Sequence, residues 1–155
     1  FPSMNILSYC RPVIAATLLP VWTHSLAAGP LDAFRDVNRL VVVSLPQGPA
    51  AENVAAAWCL HRVKIDERDL KIIDASEGAQ RVAAGVRLNP EHIIAVRQHF
   101  KLAAGEPRPV FILVGKDGGE KARQVGTLDL ETWFALIDHM PTRRQEIQNQ
   151  QKKSD

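Results

Sequence analysis

The sequence predicts an α/β domain with a mixed central sheet flanked by helices, and three observations carry that expectation. Arg39 to Leu45 (RLVVVSL) and Val110 to Val114 (VFILV) are runs of strand length with too little polarity to leave one face in water, which marks buried strands. Between and after them, Val54, Ala57 and Trp58, and then Leu130, Trp133, Phe134 and Ile137, repeat at the three- and four-residue spacing of a helix face. Finally, Lys116-Asp117-Gly118-Gly119 sits between two strand-like runs, and an Asp-Gly pair there is a hairpin signal because Gly accepts the positive φ of the turn.

Taken in order, Arg39 to Leu45 is the first strand, and Pro46-Gln47-Gly48-Pro49 ends it with turn residues. Ala50 to Leu60 follows as a helix. Asp69 to Ala75 (DLKIIDA), with Leu70, Ile72 and Ile73 apolar, is a second short strand, so strand, helix and strand form a parallel βαβ unit. Gly78 to Leu88 reads as a partial helix broken at Gly85. Asn89-Pro90-Glu91 starts the next helix, with Asn as cap, Pro at the first helical position and an acid in the first turn. Ile93, Val96 and Phe100 line its face.

Gly105-Glu106-Pro107-Arg108-Pro109 breaks the chain before the buried strand Val110 to Val114, and the more polar Glu120 to Val125 reads as an edge strand. Thr127 or Asp129 caps the helix bearing Trp133, and Met140-Pro141 ends or turns it. Thr142 to Asp155 (TRRQEIQNQQKKSD) is polar enough for a frayed helix or a disordered tail. The order β-α-β-α-β-β-α, a parallel unit followed by a hairpin and a closing helix, is the thioredoxin-like plan. Pro109 then stands where that plan commonly places a cis-proline, which makes Arg108-Pro109 a candidate cis bond, with the trans form the alternative.

Composition suits one such domain: 155 residues, 46% hydrophobic and 23% charged. A formal charge of +2 predicts no nucleic-acid partner. From Phe1 to Leu31 the one formally charged side chain is Arg11; it precedes an apolar run from Pro12 to Trp22, a polar Thr23-His24-Ser25 and the small Ala27-Ala28-Gly29. That is the pattern of a secretory signal, and the run is too short for a stable membrane span. The expected organisation is therefore Phe1-Pro2-Ser3 as added residues, 4–28 as signal, 29–147 as the domain and 148–155 as a polar tail, in a periplasmic or secreted protein. Cys10 would leave with the signal, so Cys59 would stand alone, and its apolar helical setting predicts a buried, inert thiol.

Two stretches, VGKDGGEKAR at Val114 to Arg123 and FALIDHMPTRRQEI at Phe134 to Ile147, together with DERDL at Asp66 to Leu70, carry a family resemblance. They resemble the uncharacterised thioredoxin-like domain found in bacterial exported proteins and in vertebrate sushi-repeat and coiled-coil-domain extracellular matrix proteins. The similarity spans roughly Leu31 to Ile147. Methionines are common in that family where this chain has Thr142 and Ile147. The resemblance implies the fold and export, and in the animal members adhesion or matrix association. It supplies no catalytic mechanism.

The residues themselves argue against redox chemistry at the usual place. Pro46 to Asn53 reads PQGPAAEN, with neither a CxxC pair nor a single thiol to form a low-pKa thiolate. Gly115 to Gly119 joins two strands, whereas a phosphate loop opens a helix and ends in Lys-Ser/Thr. His24, His61, His92, His99 and His139 are scattered without metal-site spacing, and Asp66, Glu67, Asp69 and Asp74 define no acid/base pair, so neither cofactor nor metal is expected. Arg68, Arg108, Lys116, Asp117, Arg143 and Arg144 remain as candidate binding residues, with Glu67 beside Arg68 and Asp138 near Arg143 as ion-pair partners. The expected function is a non-catalytic exported interaction module with a protein partner in the periplasm or at the cell surface. The alternative is a divergent redox enzyme, a single-cysteine peroxidase or reductase-like protein, using Cys59 or a small-ligand groove near Pro109.

Overall fold

The computed structural model describes residues 29–79 and 81–154. The proposed signal segment and Cys10 lie outside them. Four strands, β1 (Arg39–Ser44), β2 (Leu70–Asp74), β3 (Val110–Val114) and β4 (Glu120–Val125), form one sheet in the order β2-β1-β3-β4. β1 runs parallel to β2, with Arg39 opposite Leu70, and antiparallel to β3, with Val42 opposite Ile112. β3 and β4 are the antiparallel hairpin that Asp117-Gly118 predicts, with Gly118 at φ +81°.

Strand side chains alternate between faces, and this alternation divides the core in two. Val41, Val43, Ile72, Phe111 and Leu113 pack with Val54, Ile65, Leu130, Trp133, Phe134 and Ile137. Those partners come from α1 (Ala50–Leu60), the short α2 (Arg62–Asp66) and α4 (Leu130–Asp138). On the other face Leu40, Val42, Ile73, Ile112 and Val114 meet Val96 and Phe100 at α3 (Pro90–His99). Trp133 is 1% exposed, so its truncation to Ala would cost about 3–5 kcal/mol.

Both caps fall where sequence chemistry puts them. Asn89 accepts the His92 N–H at 2.8 Å, and Asp129, rather than Thr127, accepts the Thr132 N–H at 3.0 Å.

Two expectations are corrected, and the open question at Arg108-Pro109 is answered. Among the described residues, 78–79 and 81–88 contain no helix: the Asp74 carboxylate takes the N–H groups of Arg81 and Val82, and Val86 forms a one-residue parallel bridge to Ile73. Arg108-Pro109 is trans, as is every peptide bond among the described residues. The chain is turned upstream by Gly105 at φ +66°, so no cis bond is needed to enter β3. Cys59 is exposed rather than buried, because Val54, Ala57 and Trp58 take the inward face of α1. The polar C-terminal stretch forms a helix, α5 (Pro141–Ser154).

Candidate functional site

Three places gather the residues that could carry function. The first is the groove where β1 ends and α1 begins. Ala50, Asn53 and Val54 of α1 face Pro109 and Phe111 at the start of β3, and Gly126 to Leu128 close a space of about 260 Å³. The Gly126 N–H donates to the Pro109 carbonyl at 2.7 Å, which fixes the proline against the end of β4. Asn53 and Thr127 bring the polar side-chain atoms of this lining. It offers neither a thiol nor an ionisable group to act as acid or base.

The second place is a cleft of about 330 Å³ between α1, α2 and the outer edge of β2. Its lining includes Ala55, Trp58, Cys59, Arg62, Lys71 and Ala84. Arg62 pairs with Asp66 at 3.6 Å across one helical turn, and both side chains are largely exposed. A helical wheel shows the signal for Cys59: it lies 100° beyond Trp58, off the stripe that packs on the sheet.

The third is an ionic cluster at the opposite end of the sheet from the groove, and it absorbs three of the six candidate binding residues. Arg39 is fully buried and donates to both oxygens of Glu146, at 3.1 and 3.2 Å, to the Arg68 carbonyl at 3.1 Å and to Thr142 Oγ1 at 3.4 Å. Lys116 bridges Glu146 at 2.7 Å and Asp69 at 2.8 Å. Arg68 makes a two-pronged contact with Asp138 at 2.7 and 3.0 Å, and also reaches Glu67. Arg143, buried on α5, joins Asp138 and Glu146 at 3.5 and 3.4 Å. Arg39, Arg68, Lys116 and Arg143 thus face Glu67, Asp69, Asp138 and Glu146, and the formal charges cancel. With its cations spent on internal carboxylates, the cluster is structural.

The local electrostatics agree with that reading. Burial alone would raise the Glu146 carboxyl, but hydrogen bonds from Lys116 and Arg39, with their charges, hold it below its ordinary value. For Lys116, burial would lower the ammonium, and the bonds to Asp69 and Glu146 outweigh it and raise the pKa.

The other candidates lie apart. Asp117 is held low by the Lys121 ammonium, 2.6 Å away, and by the Gly119 N–H, so it serves the hairpin turn. Arg108 forms an exposed pair with Glu106 at 2.8 Å. Arg144 is exposed and makes no side-chain ion pair among the described residues. His92 and His99 share α3, and no cluster of His, Cys, Asp or Glu among the described residues could hold a metal. The sequence reading missed Arg39 and Glu146. They are 107 residues apart, and the trace available beforehand was a charged residue opening an otherwise apolar strand.

Strand order, the parallel β1–β2 unit and the terminal hairpin define an α/β domain of the thioredoxin-like class. The chain belongs to the family described as "Domain of unknown function (DUF4174)", whose profile matches residues 30–146. Among solved structures it is similar to a reduced 2-Cys peroxiredoxin of Plasmodium vivax, with a TM-score of 0.52 and 11% identity over 79% of this chain and 84% of that one. It is also similar to thioredoxin peroxidase I of Plasmodium yoelii, with a TM-score of 0.47 and 14% identity over 81% of each chain. No curated protein matches the chain.

Proposed function

We propose that this domain is a non-catalytic binding module on a thioredoxin-like scaffold, exported to the periplasm or beyond the cell and working there through a protein partner. One observation supports the reading above the others. The groove beside Pro109, lined by Asn53, Thr127 and apolar groups, holds no thiol and no ionisable side chain. Thiol chemistry there needs a thiolate, and Pro46 to Asn53 contains no cysteine. The apolar run behind Arg11 supports export, and a mature chain beginning at Ala28 or Gly29 on N-terminal sequencing is the expected result.

A second reading has its own observation: Cys59 is exposed and lines the cleft between α1, α2 and β2 beside Arg62. One assay separates the two. The mature domain is mixed with hydrogen peroxide and a dithiol reductant, and peroxide loss is followed for parent and Cys59→Ser. The binding-module reading expects equal, background rates. Turnover that disappears in Cys59→Ser establishes the redox reading instead.

A further inference from the structure

We propose that the outer edge of β2 is a docking site for an extended peptide segment of alternating acidic and apolar residues, which adds to the sheet as a further strand. This deepens the binding-module reading and rests on it. β2 is an edge strand, and three hydrogen bonds show which of its backbone groups face outward. Arg39 N–H donates to the Asp69 carbonyl and Ala75 N–H to the Val43 carbonyl, so odd-numbered residues pair with β1. The Ile72 carbonyl instead accepts the Val86 N–H at 2.8 Å on the far side. By the two-residue period, Leu70 and Ile72 turn their backbone groups away from β1 and into the cleft. Val86 already occupies this edge as an extended residue bridged to Ile73, and the chain leaves after that one residue. The edge therefore accepts a strand in the protein's own fold, and its Leu70 end is left open.

The side chains give the occupant its chemistry. Leu70 and Ile72 point to the face beneath α1, where Ala55, Trp58 and Ala84 wall the cleft. The residue between them, Lys71, points to the other face, is exposed, and has no side-chain partner among the described residues. An added strand would alternate in the same way, with apolar side chains entering the cleft and acidic ones meeting Lys71. The opposite sheet edge contrasts with this. There β4 carries Glu120, Lys121 and Arg123, with Glu120 and Arg123 paired at 2.9 Å, the charged pattern that blocks strand addition.

The test titrates ¹⁵N-labelled domain with the peptide acetyl-Val-Glu-Val-Glu-Val-amide up to about 1 mM. Expected are saturable shifts of the Leu70, Ile72 and Val86 amides and slower hydrogen exchange at Leu70 and Ile72. Ala84→Trp, at an exposed position that fills the cleft, should weaken binding about tenfold. Lys71→Glu should weaken it about threefold and remove its salt dependence. A control peptide with Pro in place of each Val should not bind, because it lacks the apolar side chains for the cleft and proline is excluded from a paired strand. Absence of saturation, equal binding of the proline peptide, or shifts centred on Gly126 and Thr127 would overturn the proposal. So would the same shifts on raising protein concentration alone, which would assign the edge to a second copy. All four outcomes leave the peroxide assay untouched, so failure of this site is distinguishable from failure of the binding-module reading.

Discussion

Replacing Glu146 by Ala should destabilise the domain by about 3 kcal/mol. Arg39 is fully buried, and Glu146 accepts two of its hydrogen bonds, leaving the Arg68 carbonyl and a long contact to Thr142 as its other partners. Removing one member of a buried ion pair costs about 3–5 kcal/mol, mostly for the charge left behind. The Glu146 side chain keeps 22% exposure, so water can reach part of the vacated space, and the lower end of that range applies. Lys116 adds little to the loss because it retains Asp69 at 2.8 Å. For a domain of this size about 3 kcal/mol lowers Tm by about 10 °C. Urea unfolding followed by tryptophan fluorescence, to which the buried Trp133 contributes, measures it as a lower midpoint at unchanged slope. Glu131→Ala, which removes an exposed pair with Lys64, is the control and should leave the midpoint close to the parent. Equal midpoints for the two variants would refute the claim that the cluster holds the fold.

Three further outcomes follow from the same geometry. Glu146 has a folded pKa below its ordinary 4.5, so its contribution is complete above that pH and is lost as pH falls through the lowered value; Lys116 is raised above 10.5, so its contribution is complete below that pH and is lost as pH rises through the raised value, and a pH series of urea midpoints should decline at both ends. Asp74→Ala should cost about 3 kcal/mol, because the buried carboxylate accepts N–H groups from Ser76, Arg81 and Val82 at 3.0, 2.7 and 2.8 Å, and amide exchange at Ser76 and Val82 should accelerate more than in the β1 core. Cys59→Ser should change stability by less than about 0.5 kcal/mol, and the parent thiol should react with a water-soluble disulfide reagent without denaturant; a thiol that reacts only in urea would contradict its exposure.

The features legible in the sequence are those that chain-local physics determines. VVV in β1 and VFILV in β3 announce strands buried on both faces, and each alternates between the two core clusters as its period requires. Asn89-Pro90, Asp129 and Asp117-Gly118 encode their caps and turn through side chains acting within three residues. The extra turn of α2 was hidden because His61 to Asp66 shows neither an apolar stripe nor a cap of its own. Gly78 to Leu88 misled for a related reason. Its backbone donors are claimed by Asp74, a residue outside the window in which helix propensity is judged. The candidate site was legible only in part. Arg68 and Arg143 could be picked out as charges near carboxylates, but the convergence of Arg143 with Arg39 and Lys116 on Glu146 depends on α5 returning to the start of β1, which no local pattern records.

The pairing of Arg39 with Glu146 also couples the first strand to the last helix. Arg39 opens β1, and its guanidinium can be enclosed favourably only when its counter-ion from α5 is in place. A chain lacking α5 would hold the sheet's sequence but would enclose that guanidinium without its carboxylate. The last helix therefore supplies the counter-charge on which enclosing the first strand depends, and the two ends of the domain are coupled into one cooperative unit.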